Sequence, residues 1–150
     1  MRREYCKCAV GGTFSLFHEG HKHLLKHALK LARHLVVGVT TLEYLERNPK
    51  KHPVETYEIR ALHVLTFCLK NSSQGSVIEI FPLDDAYGPT LHDPEIECIV
   101  VSEETFVTAV KINVERKKRG LRPLDILAVE MIPSPRRDNA LSSSELWSLE

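Results

Sequence analysis

Apolar and polar positions along this chain recur with two different periods, and the switches between them mark out the elements. Residues 5–10 end in the apolar run Cys8-Ala9-Val10, which reads as a buried strand. Residues 20–33 carry Leu24, Leu25, Ala28, Leu29, Leu31 and Ala32 at near-helical spacing, with Lys22, His23, Lys26, His27 and Lys30 between them. That pattern predicts an amphipathic helix with a wet, basic side. Residues 35–40 are apolar and β-branched, the composition a parallel sheet buries on both faces. Strand, helix and strand make a βαβ unit, for which a right-handed crossover is expected. Thr40 or Thr41 then caps a short helix through Arg47, and Asn48-Pro49-Lys50-Lys51-His52-Pro53 breaks it.

A second long helix is predicted over residues 54–69, with Ile59, Leu62, Leu65 and Leu69 inward. Residues 71–75 are a polar turn. Over 76–82, Val77, Glu79 and Phe81 alternate with Ile78 and Ile80, which suits a third strand nearer the sheet edge. Residues 83–94 have no period, and a loop of about that length in a compact domain is often functional. A fourth strand is predicted over 96–102, a helix over 105–119 closed by Gly120, and a fifth strand over 124–131. The alternation of strand and helix predicts an α/β fold, and the length fits one domain spanning residues 1–150.

Charge narrows the partners. Lys plus Arg equal Asp plus Glu at 20 each, so no global field draws the chain to nucleic acid or to an anionic membrane, and an anionic ligand must be small and locally held. No apolar run approaches the roughly 20 residues of a membrane span. The start Met1-Arg2-Arg3-Glu4 lacks the apolar core of a signal peptide, so the expected address is the cytoplasm. Cys6, Cys8, Cys68 and Cys98 fall in or beside apolar segments, which suits reduced, buried thiols, with Cys6 and Cys8 on one strand face. His23 and His27 have the i, i+4 spacing of a zinc pair, but no carboxylate or cysteine completes a set, and no metal site is expected.

The chemistry concentrates where the first strand meets the first helix. Gly11-Gly12 lets the backbone turn and approach a ligand with no Cβ in the way. A helix starting near Gly20 presents free amides and its positive end, which attract phosphate oxygens. His18 and His21, three apart at that entrance, can both donate to one anion. The loop after the second strand lies at the same carboxyl edge of the sheet, where open α/β sheets bind ligands. There Lys50 or Lys51 could reach a substrate phosphate, or could simply be solvated.

Gly-Gly-Thr-Phe at residues 11–14 followed by His-Glu-Gly-His at 18–21 resembles the signature of the nucleotidyltransferase superfamily, with Ser15 where the pattern has Asp. Tyr57-Glu58-Ile59-Arg60, Leu83-Asp84-Asp85-Ala86-Tyr87-Gly88-Pro89, Val101-Ser102-Glu103-Glu104-Thr105 and Ile112-Asn113 are similar to segments of phosphopantetheine adenylyltransferases of the archaeal and eukaryotic type. Leu141-Ser142-Ser143-Ser144-Glu145-Leu146-Trp147 resembles that family's phosphate-gripping Ile-Ser-Ser-Thr-x-Ile-Arg, with Trp147 in place of the arginine, and Arg136 and Arg137 upstream could supply the charge. Asp84 and Asp85 have a plainer reading as a cap or a solubilising pair.

The resemblance implies a Rossmann-like, five-stranded parallel sheet in the order 3-2-1-4-5 with helices on both faces. It also implies transfer of AMP from ATP to 4′-phosphopantetheine, by in-line displacement without a covalent intermediate, in coenzyme A synthesis. Implied catalytic residues are Thr13, His18, His21 and Lys51. ATP would be held by Gly11, Gly12, Thr13, Phe14, His21, Ser142, Ser143 and Ser144, and the acceptor by Thr13, Lys50, Lys51, Tyr87, Asn113 and Arg116. Mg²⁺ is expected to arrive on ATP rather than in a protein cage. Self-association is left open.

Overall fold

The computed structural model describes residues 5–130. Its elements follow in the order β1 (Tyr5–Gly12), α1 (Glu19–Leu31), β2 (Ala32–Thr40), α2 (Leu42–Arg47), α3 (Tyr57–Asn71), β3 (Val77–Leu83), a 3₁₀ turn (Gly88–Leu91), β4 (Cys98–Val101), α4 (Phe106–Lys118) and β5 (Asp125–Ala128). The five strands form one parallel sheet in the order β3-β2-β1-β4-β5, the order that the sequence resemblance implied. The alternating third strand stands at the edge, as its pattern predicted.

Strand alternation divides the core in two. Cys8, Val10, Val37 and Val100 pack with Leu24, Leu25, Ala28 and Leu29 of α1 and Val64 and Cys68 of α3. Ala9, Ile99 and Val101 point the other way, onto Ala109 and Ile112 of α4. Leu25 and Val37 have no exposure at all; burying each such side chain contributes about 1.5–3 kcal/mol. At the end of α4, Gly120 takes φ 78°, closing the helix as the sequence predicted.

Helix α3 lies in its predicted place but rotated. Ile59, Leu62 and Leu69, expected inward, are 46%, 60% and 60% exposed, while Arg60, Val64 and Cys68 are buried. Apolar residues occur all round this helix, so periodicity alone could not choose a face. The choice falls to Arg60, whose guanidinium is drawn under the β1–α1 turn.

The cysteines also depart from expectation. Cys8 and Cys98 are cross-strand partners in the β1–β4 register and are joined by a disulfide. Cys6 is exposed, and Cys68 alone is a buried free thiol, pushed by burial up to about 12. Strand register, which brings residues 90 positions apart into contact, is invisible in local pattern.

Candidate active site

The carboxyl ends of the strands open into a cavity of about 260 Å³. Gly11, Gly12, Thr13, Phe14, His18 and His21 supply one wall, Thr40, Tyr44 and Lys50 a second, and Ser102, Glu104, Thr105 and Thr108 a third. The turn after β1 differs from its predicted form. Gly11 and Gly12 continue the strand, paired with Gly38 and Val39, and the left-handed residues are Phe14 (φ 56°) and Leu16 (φ 48°). Non-glycine residues in that region cost of order 1–3 kcal/mol and persist where surroundings hold them. Here the Glu55 carboxylate accepts from the Leu16 N–H at 3.0 Å, and Arg60 Nη1 donates to the Thr13 carbonyl at 3.0 Å. Ser15, within this turn, is fully buried.

His18 and His21 are built into the start of α1. The Gly20 N–H donates to His18 Nδ1 at 3.0 Å, and the His18 N–H donates to His21 Nδ1 at 3.3 Å, a capping box made of two imidazoles. An accepting Nδ1 leaves the proton of a neutral ring on Nε2, so both histidines are Nε2–H donors. The rings stack with centroids 3.8 Å apart. Burial lowers the pKa of His18, and burial followed by repulsion from His18 lowers His21 to about 3. Both rings are therefore neutral near pH 7. Among the described residues the buried Nε2 of His18 has no hydrogen-bond partner, a donor awaiting an acceptor.

Lys50 lines the cavity, whereas Lys51 is exposed and does not. Tyr87 stands at a smaller apolar slot of about 40 Å³ that shares Gly11, Leu83, Ala86 and Ile99 with the main cavity. That slot exists because position 38 is glycine: a Cβ there would come within 2.7 Å of Leu83. The Asp84 carbonyl accepts from Arg47, and Asp85 Oδ1 accepts from the N–H groups of Tyr87 and Gly88, both at 2.8 Å. The plainer reading of Asp85 as a cap is the one its contacts fit.

Asn113 and Arg116, expected at the acceptor, are not brought to the cavity. Asn113 pairs both ways with the Leu124 backbone, at 2.9 and 2.7 Å, and so ties α4 to the start of β5. Arg116, 1% exposed, donates to the carbonyls of Arg122 (2.7 Å), Thr90 (2.6 Å) and Asp93 (3.2 Å). Both side chains sit on the core side of α4, where tertiary partners claim their donors. Ser142, Ser143 and Ser144, with Arg136, Arg137 and Trp147, lie outside the described residues. Among the described residues there is no cluster of three or more His, Cys, Asp or Glu fit to hold a metal, and no helix is long and apolar enough to cross a membrane.

Three residues that sequence reasoning did not place in the site organise it: Glu55, Arg60, and Thr40, which was expected as a possible cap of the short helix, a part that Thr41 plays. Arg60 has no exposure and donates to the carbonyls of Glu55, Thr13 and Thr40. Its signal was available, since a charged residue amid the apolar positions of α3 needs a buried partner.

A parallel 3-2-1-4-5 sheet with a histidine-capped helix at its ligand edge defines a nucleotidyltransferase-type domain, and the model of the cytidylyltransferase-like family matches residues 9–147. The phosphopantetheine adenylyltransferase of Methanopyrus kandleri is 43% identical over 84% of this chain and 79% of its own length. That of Saccharomyces cerevisiae is 37% identical over 94% of this chain, which spans 47% of the longer yeast protein. A crystal structure from Archaeoglobus fulgidus, described as a protein of unknown function, superposes with a TM-score of 0.74 at 36% identity, covering 91% of this chain and 99% of that one. The chain belongs to the phosphopantetheine adenylyltransferase family within the cytidylyltransferase-like class.

Proposed function

We propose that this protein transfers AMP from ATP to 4′-phosphopantetheine, giving dephospho-CoA and pyrophosphate. The relatives across archaea and yeast support the reaction, and one observation supports its location: two neutral Nε2–H donors, Thr13 and Lys50 converge on one cavity at the start of a helix.

An acceptor phosphate oxygen is already nucleophilic near neutral pH, so neither a triad nor a covalent intermediate is required. The acceptor oxygen attacks the α-phosphorus of ATP, a new P–O bond forms, and the bond to the β-phosphate oxygen breaks with its electrons leaving on pyrophosphate. The protein's task is alignment and charge stabilisation. Of the two lysines that the sequence left open, Lys50, which lines the cavity, holds the acceptor phosphate, and Thr13 steers the attacking oxygen. His18 and His21 donate to α-phosphate and neighbouring oxygens as charge builds there. Being neutral, they stabilise by hydrogen bonding and need not lose a proton. Gly11, Gly12 and Phe14 bring backbone close to the nucleotide, Ser142 to Ser144 grip its outer phosphates, and Mg²⁺ enters as part of the ATP substrate. Tyr87 and the apolar slot beside it are where the uncharged arm of the acceptor would lie.

Pyrophosphate release from ATP, measured with and without 4′-phosphopantetheine, tests this. Acceptor-dependent release is expected. Release only with a different phosphorylated acceptor would reassign the substrate, and none with any acceptor would contradict a catalytic role.

A further inference from the structure

Behind Thr13 lies a chain of hydrogen bonds whose direction can be worked out. Arg60 Nη1 directs its two protons to the Thr13 and Thr40 carbonyls, at 3.0 and 2.8 Å, and shares one of them with Thr40 Oγ1 at 3.3 Å; Thr40 Oγ1 lies 3.1 Å from Thr13 Oγ1. A guanidinium can only donate, and each hydroxyl has one proton. A Thr40 hydroxyl that accepts from Arg60 keeps its own proton to give, and the geometry directs that proton to Thr13 Oγ1. Thr13 Oγ1 is thereby an acceptor on its inner side, which leaves its proton for the cavity that it lines. Without the cation beneath, the two hydroxyls could reverse, and Thr13 would turn its proton inward and present a lone pair to an incoming phosphate.

Burial makes this arrangement strict. Arg60 is 0% exposed, so water does not compete for its guanidinium, and Thr40, at the cavity wall, is 6% exposed. Among the described residues Arg60 forms no ion pair: its partners are carbonyls and one hydroxyl, and its Nη2 is buried with no partner. Its positive charge is left to act on neighbouring groups across a short, poorly screened distance.

We propose that Thr40 and Arg60 are positioning residues: Arg60 fixes the direction of the Thr40 hydroxyl, and Thr40 commits the proton of Thr13 to a phosphate oxygen in the cavity. In its catalytic form this rests on the transfer reaction proposed above, with the acceptor phosphate as the anion addressed. Arg60 is not among the residues lining the cavity and acts through Thr40; Thr40 stands on the cavity wall beside Thr13, and the role assigned to it is exerted through the Thr13 hydroxyl.

A double-mutant cycle tests it. Wild type, Thr13→Val, Thr40→Val, Thr40→Ser and the double variant Thr13→Val with Thr40→Val are compared for kcat, for KM of both substrates, and for thermal unfolding. The same proteins are titrated with inorganic phosphate, which reads the anion site whether or not turnover occurs. Thr40→Val should lower kcat about tenfold or more, short of the roughly 10²–10³ for removing an oriented donor outright because the Thr13 hydroxyl remains, and weaken phosphate about fivefold, as for one hydrogen bond. The KM for ATP should change little. Thr40→Ser should restore both readouts, and in the Thr13→Val background Thr40→Val should cost nothing further. Should Thr40→Val fail to fold, Thr40→Ala removes the same hydroxyl without adding bulk. Effects of Thr13 and Thr40 that simply multiply, or a Thr40→Val protein within twofold of wild type in both readouts, would overturn the proposal. A wild type that shows the phosphate cycle but releases no pyrophosphate would sink the functional assignment and leave the relay standing.

Discussion

The neutral state of His21 should make this protein lose stability as the pH falls below about 6.5, above the range where ordinary carboxylates titrate. The neutral ring accepts the His18 N–H on Nδ1, and a proton placed there abolishes that bond while charging a largely buried ring stacked against a second imidazole. His21 sits at about 3 in the folded chain against an ordinary value of 6.5. The unfolded chain thus takes up the proton first, so the stabilising effect of the neutral ring is complete above about pH 6.5 and is lost as the pH falls below it. At pH 5 the linkage relation gives a loss of about 2 kcal/mol relative to pH 8 from this one group. Since pH 5 lies well above 3, the loss is set mainly by the distance from 6.5. Urea unfolding of the ligand-free protein at pH 8 and pH 5, wild type against His21→Gln, isolates it because the other histidines are common to both. Wild type should lose about 2 kcal/mol more than the variant across that interval. Equal losses would refute the inference that His21 is neutral and acts as an acceptor toward the His18 amide.

Other outcomes follow from the same geometry. Lys50→Ala should raise the KM for the acceptor by roughly tenfold or more, the scale of a charge-assisted contact, while Lys51→Ala stays near wild type in steady-state assays; the reverse would reinstate Lys51. His21→Ala should lower kcat much more than it weakens ATP binding measured by calorimetry, because its donor matters most as charge develops; equal losses would count against the assigned role. Thiol titration should detect Cys6 in the native protein, Cys6 and Cys68 after denaturation without reductant, and all four cysteines after reduction; four reactive thiols without reductant would contradict the Cys8–Cys98 bond.

Sequence patterning reached the edge position of β3 and the placement of the main helices, because each depends on periods and breaks that a single segment carries, whereas the sheet order came only from the family resemblance. It reached His18 and His21 for the same reason: strand, turn and helix start lie within a few residues. It failed where the decisive contact is tertiary. The face of α3 is chosen by Arg60 reaching Thr13 and Thr40, far away in the chain. Asn113 and Arg116 are polar residues on a helix near the sheet edge, and nothing local told that Leu124 and Thr90 would claim them. The Gly11-Gly12 turn was misread in a smaller way. Those residues need close approach rather than left-handed backbone, and the strained positions fall on Phe14 and Leu16, held by Glu55 and Arg60 from α3 and the loop before it.

The central claim is that AMP passes directly from ATP to the phosphate of the acceptor. Incubating the protein with ATP labelled at the α-phosphorus and with 4′-phosphopantetheine, then separating the products, tests it most directly. The label should appear in dephospho-CoA in step with unlabelled pyrophosphate. Label that stays in ATP, or that emerges as free AMP whether or not the acceptor is present, would contradict it.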